Sequence, residues 1–327
     1  PNRGIVPVPD KRLDTITHYV QTKKIVPTTM EFVDIAGLIK GASKGEGLGN
    51  KFLGHIREVD AIAHVVRCFE DGNVPHVSDV IDPAADIDTI NTELMISDME
   101  ALERRKTKIE KLAKSGDKEA RSQMEVLKKL IESINNGRPA RSVTGLTDED
   151  QRFVKSLTLL SAKPVLYICN VMDPGDTNNE LVQKVKAIAE EDGSVVVALA
   201  GKIEGEIMEM EDPEEQQMFM EEMGLTETGL DRMIATGYGL LELSTYFTAG
   251  EKETRAWTIP KNSKAPQAAG AIHTDFEKGF IRAEVISYQD YEQLGSEIKV
   301  KEAGKMRVEG KDYIVKDGDI MHFRFNV

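Results

Sequence analysis

The feature that most constrains this chain is a set of four short apolar runs: 28–37 (TTMEFVDIAG), 61–69 (AIAHVVRCF), 164–170 (PVLYICN) and 194–200 (SVVVALA). Each has the length of one strand and is rich in β-branched residues. Runs of this kind, without strict polar alternation, are the pattern of strands buried on both faces of a parallel sheet. Helical patterns lie between them, as in 178–192 (NNELVQKVKAIAEED). Strand and helix in alternation predict an α/β fold, a doubly wound and mostly parallel sheet whose ligands sit at the carboxyl ends of the strands. At 327 residues the chain is too long for one compact core and should divide into two or three units.

The segment 87–134 departs from that alternation. Apolar residues recur at three-four spacing through Ile87, Ile90, Leu94, Ala101, Ile109 and Leu112, then through Ala120, Met124, Leu127, Ile131 and Ile134. The two series flank the turn KSGDK at 114–118. This predicts a helical hairpin with arms of about 25 residues, each on the order of 40 Å long at about 1.5 Å per residue. Between Glu103 and Leu130 it carries ten Lys or Arg against five Asp or Glu, on a chain of formal net charge -14. Such a face reads either as a solvated surface laced with ion pairs or as a contact for RNA phosphates, with Arg104, Arg105 and Lys108 the candidate contacts. The acidic balance of the whole chain argues against a protein that coats nucleic acid, and no DNA partner is expected.

With 40% hydrophobic and 30% charged residues the composition is that of an ordinary globular protein. No apolar run is long enough to cross a bilayer and the N-terminus lacks the regions of a signal peptide, so the expectation is a cytoplasmic protein with no membrane partner. Cys68 and Cys169 lie inside apolar runs, as buried free thiols do. Residues 209–222 (EMEDPEEQQMFMEE) read as an acidic, solvated helix. Beyond LLELSTYFTAG (240–250), short strands and turns predict a small α+β module. It opens at Trp257–Pro260 and closes on a hairpin, YIVKDGDIMHFRF (313–325), around Asp317-Gly318.

Chemistry is concentrated at three strand ends. Asp34-Ile35-Ala36-Gly37 closes the first run and is followed by Leu38 and the glycine-dense GASKGEGLGNKF (41–52). An acid there can hold Mg2+ through water, and the glycine lets a backbone N–H approach a terminal phosphate, the form of a Walker B and switch II segment. Asn170-Val171-Met172-Asp173 follows the strand PVLYIC, where GTPases carry Asn-Lys-x-Asp to read guanine; Val171 stands at the lysine position. Ala200-Gly201-Lys202 follows SVVVAL, where the same folds meet the base with backbone amides. Each motif is weak alone, and their order on successive strand ends is what makes them specific.

The run DIAGLIKGASKGEGLGNKFL (34–53), the hairpin and the ending KEAGKMRVEGKDYIVKDGDIMHFRFNV (301–327) resemble the YchF group of Obg-like ATPases over essentially the whole chain. The resemblance implies a P-loop NTPase G domain over 1–84 and 141–239, a coiled-coil insertion over 85–140 and a β-grasp TGS domain over 240–327. It further implies that the phosphate-binding loop and the switch I threonine, with the direct metal ligands, precede Pro1. ATP would be the substrate, Mg2+ the metal and K+ a further candidate cation. Phe69 would pack on the adenine, and the Val171 backbone would read its exocyclic amine. Asn170, Asp173, Ala200, Gly201 and Lys202 would frame the base. Leu38 replaces the glutamine that orients water in Ras-like enzymes, and His76, in DGNVPHV, is the candidate for that role, with Gly37 sensing the γ-phosphate. His55, His64, His273 and His322 are read as structural or surface residues. Asp173 departs from the glutamate usual in the family, which keeps GTP open. The implied activity is hydrolysis of ATP to ADP and phosphate as a conformational switch on the ribosome, as the large subunit or the 70S particle, contacted by the coiled coil and TGS domain. The alternatives are a GTP-using assembly or translation factor acting mainly as a nucleotide-gated ribosome- or RNA-binding module, and an interaction protein with a decayed nucleotide site.

Overall fold

The structure, a computed structural model, describes residues 2–35, 48–72 and 80–326. In chain order the elements begin with β1 (Asn2–Pro7), α1 (Lys11–Val20), β2 (Ile25–Val26), β3 (Thr29–Asp34), α2 (Leu48–Glu58), β4 (Ile62–Arg67), α3 (Pro83–Lys114) and α4 (Lys118–Asn135). They continue with α5 (Asp148–Ser156), β5 (Val165–Asn170), α6 (Glu180–Asp192), β6 (Val195–Leu199), α7 (Gly201–Met208), α8 (Pro213–Glu222) and α9 (Gly229–Leu240). The last are β7 (Leu243–Thr248), β8 (Thr254–Pro260), α10 (Ala265–Ile272), α11 (Thr274–Lys278), β9 (Phe280–Ile286), α12 (Tyr288–Leu294), α13 (Glu297–Glu302), β10 (Arg307–Glu309) and β11 (Ile320–Phe325). The chain packs as two compact units, one built on Val33–Thr236 and the other joining Arg3–Phe32 to Gly237–Val327.

In the first unit β4, β5 and β6 form a parallel sheet with β5 in the middle. The central strand is buried over Val165–Cys169, as its unalternated sequence requires. Tyr167 and Cys169 pack with Ile87 of α3 and with Val182, Val185 and Ala189 of α6. Cys68 and Cys169 are both buried and free. The outer strand β4 alternates in exposure, with Val65 63% exposed, so the expectation of burial on both faces holds for β5 and not for β4. The run at 28–37 is also corrected. Its strand is β3, which pairs with β1 in a separate two-stranded sheet, and its exposed Thr29 and Glu31 alternate with partly buried Met30 and Phe32. That is the period-2 pattern of a half-buried strand.

The hairpin forms around the turn that its sequence marks. Asp82 caps α3 with Pro83 in its first turn, Gly116 turns at φ +97°, and Asp117 caps α4 by accepting from Ala120 N at 2.9 Å. Its arms are unequal, 32 and 18 residues, or about 48 and 27 Å, where equal arms are expected from the sequence. The reason is packing. Ile87 joins the sheet core and Leu94 joins Leu53, Ile56 and Leu160, so the first turns of α3 belong to the sheet. Met95, Leu102 and Ile109, with the partly buried Met99 and Ala113, meet Ala120, Met124, Leu127 and Leu130 of α4, while Leu112 is 55% exposed. Leu102, Leu127 and Leu130 are fully buried, worth about 1.5–3 kcal/mol each. The acidic helix α8 buries nothing, as its composition predicts.

The second unit is a six-stranded sheet in the order β10-β9-β11-β7-β8-β2, with the parallel pair β11 and β7 at its centre. One apolar cluster joins Tyr246, Ala283 and Met321 to Ala265, Ala268 and Ala269 of α10; another joins Phe247, Ile286 and Tyr291 to Leu13 and Ile16 of α1. Residues 3–32 pack in this second unit. Leu13 and Ile16 fill the core, β2 pairs with β8, and Arg12 bridges Asp10 and Asp317. The hairpin expected over 313–325 does not form. Gly318 turns at φ +91°, Asp317 accepts from Thr245 N at 2.8 Å, and only Ile320–Phe325 is a strand, paired with β9 and β7. The preceding Ile314 bridges Lys264 instead.

Candidate functional site

The carboxyl ends of β4, β5 and β6 are stitched into one rim. Cys68 N donates to Asn170 O at 2.8 Å and Val171 N to Leu199 O at 2.9 Å. Asn179, the N-cap of α6, donates its side-chain amide to Cys68 O at 2.9 Å while capping Val182 N. Gly201 N donates to the Asn170 Oδ1 at 3.1 Å. The structure thus brings Phe69, Asn170, Val171, Ala200 and Gly201 together, because parallel β4, β5 and β6 in register end at the same level.

Each residue has a definite environment. The Phe69 ring is covered on one face by the Arg67 guanidinium, 4.6 Å from its centroid, while Arg67 Nε bonds Phe69 O. Val171 is buried and spends its N–H on Leu199, which leaves its carbonyl as the main-chain group able to accept an exocyclic amine. Asp173 is exposed, and its Oδ1 accepts from Gly175 N at 2.8 Å, so half of its carboxylate is turned into its own loop. At Gly201 an added Cβ would stand 3.1 Å from the Asn170 Oδ1, which is why a residue without one suits the position. Lys202 is exposed in the first turn of α7.

Asp34 closes β3, outside the β4–β5–β6 sheet, and is exposed with no hydrogen bond or ion pair among the described residues. Among those residues no cluster of three or more His, Cys, Asp or Glu could ligate a metal. A carboxylate unpaired among the described residues suits a role through water and not a coordination cage. Gly37, Leu38, the stretch from Gly41 to Gly47 and His76 lie outside the described residues.

Sequence reasoning missed two buried clusters. Glu204, 7% exposed, accepts from Ala200 N at 3.1 Å and from Gly229 N, and meets Arg232 Nη2 at 3.4 Å. The signal was an acid one turn after a strand end, where it faces free helix N–H groups. Arg141 reaches Asp192 at 2.6 Å, Asn91 at 2.9 Å and the Tyr167 hydroxyl at 3.1 Å, joining the hairpin exit to the sheet. Burial, helped by Arg141, lowers the neighbouring His64 to about 4 and burial raises Tyr167. On the hairpin, Lys106, Lys114 and Lys128 pair with Glu103, Glu110 and Glu125, whereas Arg104 and Lys108 make no ion pair among the described residues. Together with Arg105, which lies 5.8 Å over Phe153, they line a groove of about 680 Å³ floored by Leu102, Leu157 and Leu159.

A family model described as "50S ribosome-binding GTPase" matches residues 7–171, and the C-terminal YchF-GTPase model, described as "Protein of unknown function (DUF933)", matches 243–326. A protein of Haemophilus influenzae named "Ribosome-binding ATPase YchF" is 55% identical over the whole chain, which spans 90% of it. The chain belongs to the YchF family. Proteins of the same name as the Haemophilus relative, from Bacillus subtilis and Escherichia coli O157:H7, are 55% and 54% identical, each over all of this chain and 90% of their own length. A solved YchF GTPase of Schizosaccharomyces pombe superposes with a TM-score of 0.87 at 36% identity, over 99% of this chain and 88% of that one. The P-loop GTPase fold with its parallel sheet is accordingly the fold of this chain. No helix among the described residues is long and apolar enough to cross a membrane.

Proposed function

We propose that the full-length protein is a Mg2+-dependent ATPase of the cytoplasm that changes conformation with nucleotide state and acts on the ribosome. The observation that carries the reading is the rim in which Asn170, Val171 and the 200–202 loop meet at the carboxyl ends of three parallel strands, the crevice where such sheets hold nucleotides. The names of the relatives, at 54–55% identity, supply ATP and the ribosome.

Within this reading the Val171 carbonyl accepts the adenine amine and Phe69 packs on the base through the ring face opposite Arg67. Asp34 would support Mg2+ through water, with K+ a further candidate cation, and a bound cation would supply charge screening of the triphosphate. Gly37 senses the γ-phosphate and His76 orients the water that attacks it, giving ADP and phosphate. ATP is favoured over GTP because Val171 replaces the lysine of the guanine motif and Asp173 is half engaged by Gly175. The Asp173 Oδ2, without a partner among the described residues, supports the second reading, a GTP-using factor that acts mainly as a gated binding module. Ribosome contact, on the large subunit or the 70S particle, falls to Arg104, Arg105 and Lys108 and to the C-terminal module, read as a TGS domain. Phosphate release under ATP and GTP tests the choice. The reading expects faster release from ATP and its loss in His76→Ala; unchanged hydrolysis in that variant removes His76 from the mechanism.

A further inference from the structure

The loop that meets the base has three main-chain N–H groups, and two are already committed. Gly201 N donates to Asn170 and Ala200 N to the Glu204 carboxylate at 3.1 Å. Only Lys202 N remains without a partner among the described residues, in the first turn of α7, where no intrahelical acceptor exists. The loop's direction therefore depends on what holds Glu204.

Glu204 is 7% exposed, and a buried carboxylate is unfavourable by several kcal/mol unless donors surround it. Its donors come from both sides. Ala200 N lies within its own loop, while Gly229 N and Arg232 belong to the start of α9, some 25 to 28 residues further along the chain. Arg232 has no other acid partner among the described residues, and its Nε is buried without a hydrogen bond. Gly229 is packed so tightly that an added Cβ would lie 2.6 Å from the Glu204 Oε2 and 2.8 Å from Leu199 Cβ. Simple packing would be served by an apolar side chain at 204; a carboxylate bound to two main-chain amides fixes position as well.

We propose that Glu204 is a positioning residue for the purine site: anchored on α9, its carboxylate holds the Ala200 N–H inward and leaves the Lys202 N–H as the loop's outward donor to a ring acceptor of the base. This rests on the nucleotide reading above, and it predicts that Glu204 acts on the base end of the ligand and not on its phosphates.

The test measures, on the full-length protein, steady-state ATP hydrolysis and its inhibition by inorganic tripolyphosphate, which has no base, for wild type, Glu204→Gln and Gly229→Ala. Glutamine keeps the size but brings an NH2 group against the Gly229 N–H, and the alanine methyl displaces the carboxylate without touching its charge. Both variants should raise KM for ATP about tenfold, as loss of one well-placed buried hydrogen bond does, while kcat falls much less and inhibition by tripolyphosphate stays at the wild-type level. Wild-type KM in both variants overturns the inference, as does equal weakening toward ATP and tripolyphosphate, the mark of general loss of structure. Should Glu204→Gln fail to fold, Gly229→Ala decides alone. A wild-type protein that neither hydrolyses ATP nor responds to tripolyphosphate overturns the nucleotide reading itself, and this inference with it.

Discussion

Replacing Asp192 by alanine should be among the most damaging single changes in the first unit. Its Oδ2 accepts from Arg141 Nη2 at 2.6 Å and Nε at 3.2 Å and from the Tyr167 hydroxyl at 2.8 Å, while Oδ1 accepts from Ser194 N at 3.0 Å. The two charged side chains are only 6% and 7% exposed. Alanine leaves a buried guanidinium without its counter-ion, a loss of about 3–5 kcal/mol. Asn91 and the Ser161 carbonyl still accept from Arg141, which points to the lower end, about 3 kcal/mol. For a unit of this size that is a fall in Tm of roughly 6–12 °C. Urea unfolding followed by circular dichroism, run as a cycle with Arg141→Met and the double variant, measures it. The double variant should be less damaged than the sum of the single changes, because removing both charges strands neither. A single-variant loss below about 0.5 kcal/mol, or strict additivity, would refute the account of this network.

Other expectations follow from the same geometry. His64 is held neutral by burial, down to about 4 from 6.5, while the unfolded chain takes up a proton below that ordinary value. Stability should therefore fall as pH drops from 6.5 towards 4, and His64→Phe should flatten that part of a pH–urea series; an unchanged slope contradicts it. His322 moves the other way, raised by its 3.2 Å contact with Glu297. Its contribution is complete below its unfolded value and disappears as pH rises through the elevated folded one, so Glu297→Gln should remove a loss of stability that sets in as pH rises past the ordinary histidine value. Reversing charge at Arg104, Arg105 and Lys108 should weaken ribosome co-sedimentation, more at low salt than at high salt, and equal binding across the series would exclude phosphate contacts there. Leu127→Ala, at a fully buried position between the hairpin helices, should cost about 2–5 kcal/mol in the same unfolding assay.

How much of this was legible in the sequence follows from which forces are local. The strand Val165–Asn170 is central, so burial on both faces wrote itself into PVLYICN; outer strands such as Ile62–Arg67 carry a mixed pattern that looks the same over so few residues. The hairpin turn was legible because Gly116 and Asp117 are local devices. Its unequal arms were not, since Ile87 and Leu94 continue the helical period while packing on the sheet. Docking of Leu13 and Ile16 beside Phe247 is a contact across more than two hundred residues, and no periodicity announces it. At the site, Asn170 and Gly201 could be named from spacing on strand ends. Glu204 could not, because a buried carboxylate and a solvated one have the same letter, and only the N–H groups of Ala200 and Gly229 tell them apart.

The central claim, that the rim joining Asn170, Val171 and Ala200–Lys202 holds the base of a purine triphosphate, is tested most directly by calorimetric titration with non-hydrolysable ATP and GTP analogues in the presence of Mg2+, for wild type and Asn170→Ala. The account predicts one site, tighter for the ATP analogue, and about tenfold weaker in the variant, whose lost acceptor frees the Gly201 N–H. Equal affinity in wild type and variant, or tighter binding of the GTP analogue, would contradict it.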